Sequence, residues 1–444
     1  MNAQDALRAA YANFDPEQPA PAPWRVARPK SPISEMQARL RSGLAPARYA
    51  LVGGIGTGKS TELLRVADQR PSTMWVVLLR VDQQLDQLVD PGAIEEIQAW
   101  ELVVLLGLAL IRVGDEHGWA DGPARRRFQE VVARLNASSG GDGEAEGDVT
   151  KLAKAVSIGV ISAAGSALHP VANVAMAVLK PTVDFATLRW RIGRRKALEQ
   201  DAGLDLLVDA VNALLAPFET QGHSVLVLLD GLDRIRQSQA AKRLFVDSSL
   251  LAQPRWSVVT TAPVVLLRDN RLGAVRGLDP RVLAEVPVST RVDPWTLTPE
   301  GQHFFRELVA RRWRELPVSL DPKALDRLAW LSGGRVRDFI HMVRDTIEAA
   351  WPGGATTLSM EHAERAIDLR RRLKEGGMHA GHVEVLRALR DDPDRRLPAP
   401  PERVDGRDFV TELLDAHNIV VLPNESEWYF PHPLLTLNVV PRPG

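Results

Sequence analysis

The chain of 444 residues contains no cysteine, which excludes disulfides, thiolate zinc sites and a cysteine nucleophile. It also lacks an excess of charge of either sign, since 55 Lys and Arg residues face 56 Asp and Glu residues. A protein with a net charge of -1 has no overall field that would draw it to nucleic acid or to an anionic membrane. Residues 1–18 lack an apolar run, so we expect no secretory signal there and a cytoplasmic protein.

Apolar residues make up 45% of the chain and charged residues 25%, the proportions of a soluble globular protein with a buried core. At ~150 residues per domain, the length allows about three domains. Short apolar runs alternate with helical patterns up to residue 288, which predicts an α/β fold with a parallel sheet. The predicted strands cover residues 49–52, 75–81, 224–229, 256–262 and 286–288. The predicted helices after residue 300 cover residues 301–313, 322–331, 336–350 and 360–372.

A glycine-rich turn lies between the first predicted strand and a helical pattern. Residues 53–60 read GGIGTGKS and fit the pattern G-x-x-x-x-G-K-[ST]. In such a loop the backbone N–H groups converge on a β-phosphate, the lysine reaches the β- and γ-phosphate oxygens, and the serine ligates Mg²⁺. The pattern predicts ATP and Mg²⁺ as cofactors. The predicted nucleotide-binding residues are Gly53, Gly54, Gly56, Thr57, Gly58, Lys59, Ser60 and Thr61.

A phosphate cradle needs an acidic residue at the end of a neighbouring strand. The apolar strand over residues 224–229 ends in Asp230, which places a carboxylate where it can hold the water shell of Mg²⁺. An aspartate that only closes a strand with a turn is the alternative. We therefore predict Ser60 and Asp230 as the metal-binding residues.

The order of strand, cradle and helix, together with the run DGLDR at residues 230–234, resembles the additional-strand P-loop ATPases, which include AAA+, STAND and KAP proteins. The resemblance implies a three-layer parallel-sheet core with an extra strand between the cradle strand and the strand that ends at Asp230. It also implies a γ-phosphate sensor on the strand over residues 256–262, for which Thr260 and Thr261 are the candidates. An ordinary strand threonine is the alternative for either residue.

Residues 331–338, which read LSGGRVRD, resemble the start of the lid helix in AAA+ and STAND proteins. In those proteins an arginine of the lid returns to the γ-phosphate. By motif position this arginine is Arg337, with Arg335 as the second choice and a surface arginine as the alternative. The resemblance thus implies a helical lid that closes on the nucleotide.

The residue after Asp230 departs from the pattern of this superfamily. Many AAA+ members place there a glutamate that polarises the attacking water, whereas this chain has Gly231. Asp233 is the nearest candidate for the base. We therefore predict slow hydrolysis.

The end of the chain has the pattern of helix, helix and hairpin, over residues 383–390, 405–416, 419–422 and 428–430. This order resembles the winged helix that follows the lid in origin-recognition-type ATPases. Reading DNA would require a basic second helix. The predicted second helix carries Asp405, Asp408, Glu412 and Asp415 against Arg407 alone, which favours a domain that docks protein.

The stretch between Gly58 and Asp230 is ~170 residues long, more than one extra strand and its helices need. Within it, residues 155–179 contain no Asp, Glu, Lys or Arg, and small residues recur every four positions at Ala155, Gly159, Ala163 and Ala167. KAP-type ATPases carry membrane segments at this place. We interpret the stretch as helices that pack within the protein or between subunits. Membrane contact through residues 155–179 is the alternative.

These observations divide the chain into four segments and suggest a function. The segments are an N-terminal arm and helix (1–45), a P-loop core (46–295) with an insertion at about 120–197, a helical lid (296–376) and a winged-helix-like domain (377–444). The resemblance implies an ATPase that acts as a slowly hydrolysing switch in bacterial signalling or antiviral defence. Its expected partners are further copies of the chain and an effector protein. The alternatives are a nucleic-acid remodelling or loading ATPase and a membrane-associated, KAP-like scaffold.

Overall fold

The computed structural model describes residues 2–81, 93–119, 122–138, 159–161, 203–268, 271–398, 408–423 and 427–443. The chain forms two compact units. The sheet unit comprises Pro32–Val52 and Glu62–Val282, and the helical unit comprises Met1–Ser31, Gly53–Thr61 and Leu283–Gly444. The glycine-rich loop is therefore grouped with the second half of the chain.

The described helices and strands are numbered here in chain order. The helices are α1 (Ala3–Ala12), α2 (Ile33–Ser42), α3 (Lys59–Asp68), α4 (Ala99–His117), α5 (Gly122–Ser138), α6 (Leu204–Thr220), α7 (Ser238–Phe245), α8 (Pro299–Arg312), α9 (Pro322–Leu331), α10 (Val336–Ala350), α11 (Met360–Glu375), α12 (Ala380–Asp391) and α13 (Phe409–Asp415). The strands are β1 (Arg48–Val52), β2 (Met74–Arg80), β3 (Gly159–Ile161), β4 (Ser224–Asp230), β5 (Ser257–Ala262), β6 (Asp279–Val282), β7 (Ser319–Leu320), β8 (Thr357–Leu358), β9 (Ile419–Leu422) and β10 (Trp428–Pro431).

The sheet unit is built on a six-stranded sheet in the order β3-β2-β4-β5-β1-β6. All neighbouring pairs are parallel except β2 and β3, which are antiparallel. Strand β5 lies between β1 and β4. The parallel-sheet α/β fold is therefore confirmed, and so is the additional strand between the cradle strand and the strand that ends at Asp230.

Both faces of this sheet are covered. Successive side chains of a strand point to opposite faces, and in β2 both Val76 and Val77 are almost completely buried. Helix α4 is apolar on nearly every face and is buried along most of its length. A sheet enclosed on both sides explains why β4 is an almost uninterrupted apolar run.

The first part of the predicted insertion is a core helix of the sheet unit. Phe128 of α5 is completely buried, and its ring lies where a side chain at Gly107 of α4 would have to go. A core helix is difficult to predict for α5 from the sequence, because the arginines at positions 125–127 interrupt the spacing of its apolar residues. Residues 122–138 therefore contribute to the main core.

Residues 159–161 form strand β3, which pairs with β2 at an edge of the sheet. The helix expected from the small-residue spacing is wrong for these three residues. β-branched Val160 and Ile161 favour a strand, and pairing satisfies backbone groups of the β2 edge. The rest of residues 155–179 lies outside the described residues. Among the residues that the structure describes, no helix is both long and apolar enough to cross a membrane.

The strand predicted over residues 286–288 is also wrong, and the last strand of the sheet is instead β6. Val286 and Val288 are completely buried in the core of the helical unit. The backbone N–H of Val286 donates to the carbonyl of Gly334 at 3.0 Å. The apolar pattern here therefore reflects burial of an irregular segment.

The helical unit has one apolar core, to which both ends of the chain contribute. Helices α8–α11 form most of it, and α9 and α10 have the predicted bounds. The N-terminal residues before the predicted extended arm, which covers residues 15–32, supply α1 and the buried ring of Phe14, which lies 5.3 Å from the ring of Trp313. At the other end, α12, α13 and the antiparallel β9–β10 hairpin follow in the predicted order of helix, helix and hairpin.

Candidate phosphate-binding site

The loop over residues 53–58 follows β1 and leads directly into α3. Gly56 and Gly58 have φ angles of +88° and +100°, a region that favours glycine. Space is limiting as well, since a Cβ atom at Gly56 would lie 2.8 Å from the Cβ of Arg337. The loop is closed on itself by Thr57, whose Oγ1 donates to the carbonyl of Gly54 at 3.0 Å. These glycines are thus required by the backbone of the loop.

Lys59 begins α3 and turns its side chain back over the loop. Its Nζ donates to the carbonyls of Gly53 at 2.8 Å and Gly54 at 2.6 Å, and the side chain is buried. Ser60 and Thr61 follow in the first turn of the helix, where backbone N–H groups lack intrahelical partners and attract anions. The predicted cradle residues are therefore brought together in one place.

Arg335 lies beside the loop and is 2% exposed. Its Nη2 donates to Oε1 of Glu285 at 3.0 Å and lies 3.0 Å from the Cβ position of Gly54. Its Nε and Nη1 are buried and have no hydrogen-bond partner among the described residues. Buried N–H donors without a partner cost free energy. A phosphate oxygen beside Gly54 is the kind of acceptor that fits this side chain.

Arg337, the arginine preferred from the sequence, contacts the loop through its backbone. Its N–H donates to the carbonyl of Gly56 at 3.1 Å. The guanidinium is occupied elsewhere, because its Nε donates to the carbonyl of Pro16 at 3.1 Å and its Nη2 lies 3.6 Å from the carboxylate of Glu17. Of the two arginines, Arg335 has buried donors without a partner in the described part of the chain, whereas the guanidinium of Arg337 is bonded to residues 16 and 17.

The other predicted site residues belong to the sheet unit. Asp230 ends β4, and Thr261 lies on β5 at the same edge of the sheet, because Leu229 pairs with Thr260 in the strand register. Thr260 Oγ1 donates to the carbonyl of Thr261 at 3.0 Å, whereas Thr261 Oγ1 is buried without a hydrogen-bond partner in the described part of the chain. Thr261 is therefore the better placed of the two candidate sensors.

Asp233 follows in a short 3-10 turn over Leu232–Arg234 and is half-buried. The turn begins at Gly231, which has a φ angle of +93°. A glutamate at this position would be strained, because residues with a side chain rarely adopt that angle. The missing glutamate is thus explained by the backbone, and Asp233 is the next acidic side chain beyond Asp230.

Sequence reasoning missed Glu285, which connects the loop region with the C-terminal hairpin. Its carboxylate accepts a hydrogen bond from the guanidinium of Arg335 and another, at 3.0 Å, from the backbone N–H of Val421 in β9. Its own N–H donates to the carbonyl of Val421 at 2.8 Å. The available signal was a single acidic residue within the apolar run LAEVPV at residues 283–288.

A second group of polar side chains, in which Asp338 and Lys374 are partly buried and His432 is fully buried, lies at the start of α10. Asp338 accepts a hydrogen bond from Nε2 of His432 at 2.9 Å, and Lys374 Nζ lies 3.4 Å away. Because the N–H of Leu434 donates to Nδ1 of His432, this imidazole is neutral. Burial lowers the pKa of His432 to about 3. Burial alone would raise the pKa of Asp338, but the Lys374 ammonium and the His432 hydrogen bond lower it well below its usual range.

No protein-family model matches the sequence, and no curated protein matches it. Solved structures similar to the chain include the Aeropyrum pernix ORC1 protein in complex with DNA, at 13% identity and a TM-score of 0.40, covering 96% of each chain. The Aeropyrum pernix ORC2 protein in ADPNP-ADP complexes has 11% identity and a TM-score of 0.38, covering 95% of this chain and 93% of that one. Drosophila ORC bound to DNA has 12% identity and a TM-score of 0.38, covering 96% of this chain and 89% of that one. Likeness at this level assigns neither a function nor a residue role to this chain.

The neutral, buried His432 predicts that stability falls in acid. In the unfolded chain this imidazole titrates near pH 6.5, whereas in the fold its pKa is about 3, so the unfolded state binds more protons below pH 6.5. Between pH 7 and pH 5 we expect the free energy of unfolding to fall by about 2 kcal/mol more in the wild type than in His432→Gln. Urea denaturation at the two pH values measures this difference. His303→Gln is the control, since His303 is 82% exposed, and parallel pH dependence in wild type and His432→Gln would contradict the assignment.

Proposed function

We propose that the chain is an additional-strand P-loop ATPase that binds ATP with Mg²⁺ and acts as a slowly hydrolysing molecular switch. The observation that carries this proposal is the loop over residues 53–60, with its two left-handed glycines and the ammonium of Lys59 turned onto it. The order β4-β5-β1 in the sheet supports the same class of protein.

The chain's own groups suit the phosphates of a nucleotide. The N–H groups of the loop and of the first turn of α3 would bind phosphate oxygens together with Lys59. Ser60 and Asp230 would hold Mg²⁺, which neutralises phosphate charge when bound. Within the described ranges the buried hydroxyl of Thr261 has no hydrogen-bond partner, as suits a sensor of the γ-phosphate.

Hydrolysis needs a group that positions the attacking water and takes its proton. With Gly231 in the usual place of the glutamate, we assign this role to Asp233. A shorter side chain, located in the next turn, is less well placed for a fast reaction. Slow turnover suits a switch, because the ATP-bound state has to last long enough to act on a partner.

The contacts of Glu285 suggest how nucleotide binding reaches the C-terminal domain. Nε and Nη1 of Arg335 have no hydrogen-bond partner among the described residues, and Glu285, which accepts from Nη2 of Arg335, also accepts from the N–H of Val421 in β9. A phosphate oxygen that accepts a hydrogen bond from Arg335 would therefore change the contacts of Glu285, which is bonded to the C-terminal hairpin. We propose that the helical lid and the winged-helix-like domain change position with the bound nucleotide and control self-association or an effector protein.

The second candidate is a nucleic-acid loading or remodelling ATPase. The ORC1 and Drosophila ORC structures are complexes with DNA, and for this chain DNA binding is a proposal. The rate of ATP hydrolysis with and without duplex DNA, at two salt concentrations, separates the two functions. Stimulation by DNA that is lost at high salt supports the loader, and a rate independent of DNA supports the switch.

Replacing Lys59 with alanine tests the phosphate cradle. We expect the affinity for Mg-ATP to fall by about 10- to 100-fold, because charge-assisted hydrogen bonds to the phosphates are lost. Isothermal titration calorimetry measures the dissociation constants. Lys323→Ala is the matched control, since Lys323 is exposed on α9, and wild-type affinity in Lys59→Ala would rule out the cradle.

Replacing Asp233 with asparagine tests the assignment of the base. We expect the single-turnover rate of ATP hydrolysis to fall by about 100-fold, while the dissociation constant for Mg-ATP changes by less than about threefold, since only proton transfer is removed. Asp205→Asn, at an exposed position of α6, is the control. An unchanged rate in Asp233→Asn would show that the base lies elsewhere, for example on a second subunit.

A further inference from the structure

The N-terminal segment, defined here as residues 13–28, runs along the phosphate loop and the lid residues beside it. The N–H of Ala20 donates to Oγ1 of Thr61 at 3.3 Å. The carbonyl of Pro16 accepts from Nε of Arg337 at 3.1 Å. The segment is also fixed to α8, because Arg312 Nη1 donates to the carbonyl of Asn13 at 2.7 Å. Its path along the loop is therefore held at several points.

Arg28 makes the most direct contact of this segment with the loop. It is buried, at 9% exposure, and its guanidinium donates through Nη1 to the carbonyl of Thr57 and through Nη2 to the carbonyl of Ala284. Nη1 also lies 3.5 Å from the Cβ position of Gly58. One side chain thus bridges the loop and the backbone next to Glu285.

We propose that Arg28 is a positioning residue of the phosphate cradle, and this inference rests on the proposed nucleotide binding. The C=O and N–H of one planar trans peptide point in opposite directions. Because Arg28 holds the carbonyl of Thr57, it also orients the N–H of Gly58 away from itself, towards the side of the loop on which a phosphate binds.

The charge of Arg28 strengthens this effect. A cation bonded to the carbonyl polarises the peptide and makes its N–H a stronger donor. It also adds positive potential within a short distance of the phosphates, where screening by solvent is small. Two divergent N–H groups of a planar guanidinium can serve two carbonyls at once, which an ammonium on a flexible stem does less well.

The test compares Mg-ADP binding by wild type, Arg28→Ala and Arg28→Lys in isothermal titration calorimetry. We expect Arg28→Ala to weaken binding by about tenfold or more and Arg28→Lys by a smaller factor, because lysine keeps the charge but not the bridge. Arg25→Ala is the matched control. Arg25 belongs to the same segment, has the same exposure of 9%, and its Nε donates to the carbonyl of Ala20.

Chemical rescue separates a role in the cradle from a role in folding. We expect free guanidinium ion, at concentrations well below those that unfold the protein, to restore part of the affinity of Arg28→Ala, while urea does not. If Arg28→Ala fails to fold, a loss of affinity in Arg28→Lys with an unchanged melting temperature supports the proposal, and wild-type affinity in Arg28→Lys overturns it.

Three further results would overturn the proposal while wild-type protein binds Mg-ADP. They are unchanged affinity in Arg28→Ala, an equal loss of affinity in Arg25→Ala, and rescue by urea as well as by guanidinium. If the wild-type protein itself does not bind Mg-ADP, the proposed function fails, and that outcome is recognised before any variant is compared.

Discussion

The guanidinium of Arg335 and the carboxylate of Glu285 form an ion pair in which the two side chains are 2% and 1% exposed. Removing two charges from water costs several kcal/mol per ion, and the cost is offset only by close pairing and further hydrogen bonds. Glu285 has such bonds from Arg335 and from Val421. The start of α10, the segment after β6 and the C-terminal hairpin must all keep their places for this ion pair to persist.

The ion pair with Glu285 does not use all the N–H donors of Arg335. Its Nη2, which lies 3.0 Å from the Cβ position of Gly54, is bonded to Glu285, whereas the buried Nε and Nη1 have no partner among the described residues. A ligand with anionic oxygens complements this side chain, whereas a neutral apolar ligand would leave those donors unpaired.

The loop itself is organised through its carbonyl groups. Lys59 bonds the carbonyls of Gly53 and Gly54, the backbone of Arg337 bonds that of Gly56, and Arg28 bonds that of Thr57. Protein donors thus occupy these carbonyls. The N–H of Thr57 bonds back to the carbonyl of Gly54 at 3.3 Å, and the N–H of Gly58 points away from Arg28, because the C=O and N–H of one trans peptide point in opposite directions. A loop whose backbone is fixed in this way before an anion binds lowers the entropic cost of binding.

Much of the fold could be predicted because many of its elements depend on residue spacing within one short segment. The glycine-rich motif, the apolar run of β4, and the helices α9 and α10 each depend on spacing within one segment. The contacts of the N-terminal segment could not be predicted. Its proline-rich residues have no period of 2 or 3.6, which predicts an extended arm but not its partners, such as Arg312, which is far away in the sequence.

The candidate site was likewise predicted only in part. Lys59 and Asp230 follow from motifs, whereas Glu285 and Arg28 are identified only by long-range hydrogen bonds to backbone groups, which no pattern of side chains records. At Gly231 the sequence showed that the expected glutamate is missing, but it did not show that the backbone there is left-handed.

Hydrogen–deuterium exchange of the wild-type protein with and without Mg-ATP tests the central claim most directly, that nucleotide phosphates bind the loop and act through Arg335 and Glu285. The account predicts slower exchange of the backbone amides at residues 54–61, and a change in exchange at residues 283–286 and in β9, which Glu285 connects to the loop region. Unchanged exchange at residues 54–61 in saturating Mg-ATP would contradict the account.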